Sequence, residues 1–156
     1  MKKAARENGS ANRVTVLAIG PADEHFANLS GLLRRSEETM CPGSTWLLKC
    51  SPTLESASPV LHSDRIPIVL CESGLPDGNW RNVLEEVAKL DRPSLVIVAS
   101  RHADERLWAE ALNLGAWDVL SKPYNCEEVI RVFTHAWLHW VSQPGSARAK
   151  AMACVA

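Results

Sequence analysis

The sequence has no apolar run approaching the length of a bilayer-spanning helix, and no signal-peptide core follows Lys2-Lys3, so a cytoplasmic protein is expected. It also lacks paired metal-ligand spacings. The five cysteines, Cys41, Cys50, Cys71, Cys126 and Cys154, are odd in number with no Cys-x-x-Cys among them, which argues against zinc and for reduced thiols. Charge of one sign is not in excess either. A formal net charge of −1 creates no global field toward nucleic acid or an acidic membrane, and no helix-turn-helix region is visible. There is no glycine-rich phosphate loop and no pairing of a nucleophile with a base. What remains is one chain of 156 residues, 46% hydrophobic, enough for a single domain with a real core.

Apolar runs alternate with helical periodicity along the chain. Val14–Ile19 reads as a buried strand, and Asp23–Arg35 as a helix with Phe26, Leu29, Leu32 and Leu33 on one face. After a Pro-Gly loop at 42–43, Trp46–Cys50 reads as a second strand, and residues 52–62 as a short helix with Pro52 in its first turn. Ile66–Cys71 is the third strand, and Asn79 is placed to cap a helix over Trp80–Leu90. Ser94–Ala99 is the fourth strand, Asp104–Leu114 a helix ended by Gly115, Trp117–Leu120 the fifth strand and Cys126–Val141 the last helix. Five β–α repeats predict an α/β fold, a (βα)5 parallel sheet wound on both faces through right-handed crossovers. A ligand or chemical site in such a sheet lies at the carboxyl ends of its strands. Residues 1–12 and 143–156 show no periodicity able to bury a face and are expected to be disordered tails around a domain at 13–142.

Two segments stand out against this background. The apolar run Ile68-Val69-Leu70-Cys71 ends in Glu72, with Leu75-Pro76-Asp77-Gly78 just beyond. Fifty residues after Glu72 comes Lys122-Pro123, closing the run Gly115-Ala116-Trp117-Asp118-Val119-Leu120-Ser121. In this order and context the chain resembles the receiver domain of bacterial two-component response regulators. That family carries an aspartate at the end of strand three, a proline four residues later, and Lys-Pro after strand five. The resemblance implies a flavodoxin-like sheet in the order 2-1-3-4-5.

It also implies which residues meet. Glu72 stands where the family has its phosphoacceptor aspartate, Ser100 where it has a switch hydroxyl, and Lys122-Pro123 where it anchors the phosphoryl group, often through a cis peptide bond. The acidic pair that holds Mg²⁺ with the aspartate falls on Gly20 and Pro21, neither of which ligates a cation. Asp23 and Glu24, slightly later, read as acids at a helix N-terminus. The switch aromatic falls on Val119. These departures touch the chemistry and spare the fold, which points to a pseudo-receiver that has lost Mg²⁺ binding and needs no cofactor.

Glu72 then has three readings: a phosphoacceptor, a fixed mimic of the phosphorylated state, or a structural anion paired with Lys122. As a mimic it carries one charge, against about −1.5 to −2 for a phosphate monoester. Ser100 has an ordinary reading too, as a loop residue capping the next helix, and His102 reads as a solvated loop histidine. Six tryptophans is a high count for this length, and some must be core; Trp108, Trp137, Leu138 and Trp140 either complete that core or are candidates for a partner or dimer surface. The resemblance places such a surface on helix four, strand five and helix five. The expected function is a stand-alone signalling module, not an enzyme, binding a signalling protein or histidine kinase. A phosphoacceptor with unusual metal ligation and an unrelated flavodoxin-like ligand-binding module are the alternatives.

Overall fold

The computed structural model describes residues 13–36 and 44–143. The two expected tails, apart from Gln143, lie outside these residues, as do the Pro-Gly loop at 42–43, Cys41 and Cys154. The elements in chain order are β1 (Arg13–Ile19), α1 (Glu24–Arg35), β2 (Thr45–Ser51), α2 (Leu54–Ser63), β3 (Ile68–Glu72), β4 (Gly74–Leu75), β5 (Gly78–Asn79), α3 (Trp80–Ala88), β6 (Leu95–Ser100), α4 (Glu105–Asn113), β7 (Asp118–Ser121) and α5 (Cys126–Ser142). Five strands form one parallel sheet in the order β2-β1-β3-β6-β7, which is the expected 2-1-3-4-5 once the small β4–β5 hairpin is set aside.

The β-strand period of two divides the core into two layers. Val14, Val16, Ile68, Leu70 and Ile97 meet Leu29 and Leu33 of α1 and Val129 and Phe133 of α5 on one face. The intervening residues Leu17, Ile19, Val69, Val96 and Val98 meet Ala57 and Leu61 of α2, Val83 and Val87 of α3 and Ala111 of α4 on the other. Strands covered on both sides must be apolar at every position, hence the unbroken runs in the sequence. Three tryptophans, Trp46, Trp80 and Trp140, are buried, and Trp46 stacks on Phe133 with ring centroids 6.2 Å apart.

Caps account for where the helices begin. Asp23, Asn79, Asp104 and Asn125 each accept a backbone N–H of the first turn they precede. Most expected boundaries shift by one or two residues. Pro52 lies before α2, which is opened by Thr53 in a capping box with Ser56. The third strand begins at Ile68, two residues later than the apolar run, and extends through Glu72 itself. The Leu-Pro-Asp-Gly segment is a hairpin, and its Asp77 accepts the Leu54 and Glu55 N–H groups at 3.0 and 2.9 Å, adding a distant carboxylate to the α2 N-terminus.

Candidate functional site

The parallel register brings four loops to one edge of the sheet. Ile19 is level with Ser51 and Cys71, Glu72 with Ala99, and Ser100 with Ser121. The residues just beyond these positions therefore share the carboxyl rim. Glu72 has the parity of Ile68 and Leu70, so its side chain leaves β3 on the α1/α5 side of the sheet.

There the Lys122 ammonium donates to Glu72 Oε1. The Lys122 side chain is only 4% exposed and that of Glu72 20%, so the pair is largely withdrawn from water. A cation this buried needs a carboxylate partner, and Glu72 supplies it. The Lys122–Pro123 peptide bond is cis, and Lys122 N–H donates to the Ser100 carbonyl at 3.0 Å, fixing the loop to β6.

Gly20 leaves room for the Glu72 side chain. Its φ is +150°, a region that side-chain-bearing residues rarely adopt, and its N–H donates to the Ser51 carbonyl at 2.9 Å. A Cβ built on Gly20 would lie 2.4 Å from the Glu72 Cγ. The Glu72 chain thus lies across the position from which an acidic side chain at residue 20 would start. Positions 20 and 72 are sterically coupled.

Asp23 sits beside this pair, but its Oδ1 is engaged by the His25 and Phe26 N–H groups at 3.0 and 3.2 Å. Burial pushes its carboxyl pKa up. The Phe26 N–H, the Lys122 charge and His25 outweigh that and hold it below its ordinary value. Glu24 opens α1 as an acid in its first turn. Among the described residues, no group of three or more His, Cys, Asp or Glu side chains is arranged to hold a metal ion.

A cavity of about 20 Å³, large enough for about one water molecule, lies between Pro21, Asp23, His25, Glu72 and Tyr124. Tyr124 is the chain's single tyrosine and was not among the residues expected from sequence. Burial, with the Glu72 and Asp23 charges nearby, raises its phenol pKa, so it faces the site as a neutral hydroxyl. Its ring meets His25 edge-on at 6.4 Å, and the His25 Nδ1 is buried without a hydrogen-bond partner. The only hint in the sequence was an aromatic two residues past Lys122. Val119, on the expected switch position, is buried instead in the core between sheet, α3 and α4.

Ser100 is buried at the rim, and its hydroxyl accepts the His102 N–H at 3.1 Å. It closes a local turn and does not cap α4, whose cap is Asp104. His102 is exposed, as expected. The surface candidates separate. Trp108 and Leu138 are half exposed, joined by Leu114 and Val141, and Trp137 is half-buried. Trp140 must be withdrawn from the set: it is 5% exposed, because the Arg92 guanidinium lies over its ring at 3.8 Å. The thiols of Cys50, Cys71 and Cys126 are free, and burial raises that of Cys71 far above its ordinary pKa.

No family model matches the sequence, and no curated protein is similar to it in sequence. Solved structures similar to it include response-regulator receiver domains. The signal receiver domain of an HD domain-containing protein from Pseudomonas fluorescens Pf-5 is 22% identical with a TM-score of 0.68, the match covering 84% of this chain and 99% of that one. A CheY-like response regulator receiver domain protein from Methanospirillum hungatei JF-1 is 17% identical, TM-score 0.69, covering 84% and 98%. The beryllofluoride-activated NtrC4 receiver domain, a dimer, is 22% identical, TM-score 0.68, covering 81% and 98%.

Proposed function

We propose that this chain is a receiver-like module of two-component signal transduction that works by binding a protein partner, without accepting a phosphoryl group. One observation carries the reading: Glu72 lies over Gly20 and is neutralised by Lys122. In a phosphoacceptor, that lysine and a metal together stabilise the transferred group. Here the lysine is already engaged by a permanent carboxylate.

The donors present do not fit Mg²⁺. Gly20 and Pro21 offer no side-chain oxygen, an acidic residue at 20 would collide with Glu72, and Asp23 gives one of its two carboxylate oxygens to two N–H groups. Octahedral oxygen ligation needs several free oxygens on one side, and the rim has a buried ammonium there instead. The buried Val119 and the Ser100 hydroxyl turned toward its own loop further support a site held in one state. The half-exposed Trp108, Leu114, Leu138 and Val141 on and beside α4 and α5 are the proposed partner surface, for a signalling protein, a histidine kinase or a second copy.

The test is incubation with acetyl phosphate and Mg²⁺, read by intact mass, with an aspartate receiver labelled alongside. No adduct is expected. An adduct that vanishes in Glu72→Gln overturns the reading and makes this a working phosphoacceptor.

A further inference from the structure

The opposite edge of the sheet carries a second assembly that the receiver reading does not use. Arg13 opens β1, Arg65 precedes β3 and Arg92 precedes β6. These are three adjacent strands in the centre of the sheet, so the fold aligns the three arginines along its amino-terminal edge. They line a cavity of about 530 Å³ together with Thr15 and Trp137. That volume suits a small organic ligand and far exceeds what one inorganic ion fills.

Among the described residues, no carboxylate lines this cavity. Asp64 and Asp91 line a neighbouring cavity that Arg65 and Arg92 also line, and Asp64 is engaged by Lys49 at 2.9 Å. Arg92 is partly held in place: it stacks on Trp140 and donates to the Trp140 and Gln143 carbonyls, while its Nε is buried without a partner. Burial and the nearby Arg65 charge both lower the Arg92 pKa, so like charges have been gathered here against their repulsion. Such a cluster is stabilised when an anion enters it. Guanidinium groups suit phosphate because their planar N–H pairs match its oxygens, and a phosphate can meet several of them at once. The half-buried Trp137 indole beside them adds a flat apolar wall, on which a planar base stacks.

We propose that this cavity binds a mononucleotide, its phosphate held by Arg13, Arg65 and Arg92 and its base against Trp137. The proposal is independent of the chemistry at Glu72, which lies at the other end of the strands.

Calorimetric titration of the full chain with adenosine 5′-monophosphate, adenosine and inorganic phosphate, at moderate salt, tests it. The monophosphate should bind saturably, with adenosine and phosphate each at least about tenfold weaker, since each lacks half of the contacts. Arg65→Ala and Trp137→Leu should each weaken the monophosphate about tenfold, as losing one charged hydrogen bond or one stacked base does. Arg13→Ala, at an exposed side chain that begins a strand, provides a second charge deletion if either variant misfolds. Absence of binding up to millimolar monophosphate, equal affinity for phosphate and nucleotide, or affinity unchanged by Arg65→Ala and Arg13→Ala overturns the proposal.

Discussion

Replacing Glu72 by Gln leaves the buried Lys122 ammonium without the carboxylate it donates to. Because Glu72 keeps some solvent contact, the expected loss is about 1–3 kcal/mol, below that for a fully enclosed pair. Denaturant unfolding measures it, and the Glu72→Gln/Lys122→Met double variant should recover part of it by removing the stranded charge. Gly20→Asp is the complementary case. It introduces an acid at the rim but forces a Cβ into Glu72 at a φ that favours glycine, with an expected cost of about 2 kcal/mol or more. Removing the Cγ of the neighbour in Gly20→Asp/Glu72→Ala should relieve the steric part, so the double variant should lose less than the sum of the two single variants. If the two losses simply add, the two positions are not coupled through packing.

Helix starts govern the stability of the individual elements, because each rim loop ends in a cap. Thr53→Ala removes the side chain that accepts the Ser56 N–H and should cost about 1 kcal/mol in thermal or denaturant unfolding. Asp77→Asn should lower the melting temperature through α2, although residue 77 lies in the β4–β5 hairpin, since its carboxylate meets the Leu54 and Glu55 N–H groups. This link between hairpin and helix was not legible in the sequence. Asp77 lies 23 and 22 residues from its partners, and Leu-Pro-Asp-Gly reads locally as a turn. The helices themselves were legible, because their apolar spacing and capping residues are local properties of the chain.

For the molecule as a whole, several carboxylates are tuned the same way. Burial works against ionisation of Asp23, but N–H groups and Lys122 prevail; Leu54 and Glu55 N–H groups lower Asp77; His62 and Ser58 lower Glu86. A folded-state pKa below the unfolded one contributes stability that is present above the unfolded value and lost as pH falls through the folded value. With ordinary values of 3.8 for Asp and 4.5 for Glu, stability should hold above about pH 5 and decline below about pH 4. Unfolding across that range checks it, and Asp23→Asn should make the decline shallower. The half-exposed side chains make a separate prediction. Trp108→Ser and Leu138→Ser should leave unfolding within about 0.5 kcal/mol of the parent, since such positions bury little on folding. Sedimentation at rising concentration should show weaker self-association if these residues form the proposed dimer surface.

The sequence by itself determined the five β–α repeats, the sheet order through resemblance, and the rim on which Glu72, Ser100 and Lys122 stand. Apolar runs and glycine or cap residues are written locally, and strand parity converts them into faces. Only the tertiary structure decided that Gly20 makes room for Glu72, that Tyr124 and His25 close the site, and that Trp140 is covered by Arg92 and not left on the surface. It also brought Arg13, Arg65 and Arg92, scattered through the chain, to one edge. These outcomes depend on strand order and on the direction in which long side chains leave the backbone, and neither is a property of neighbouring residues in the chain.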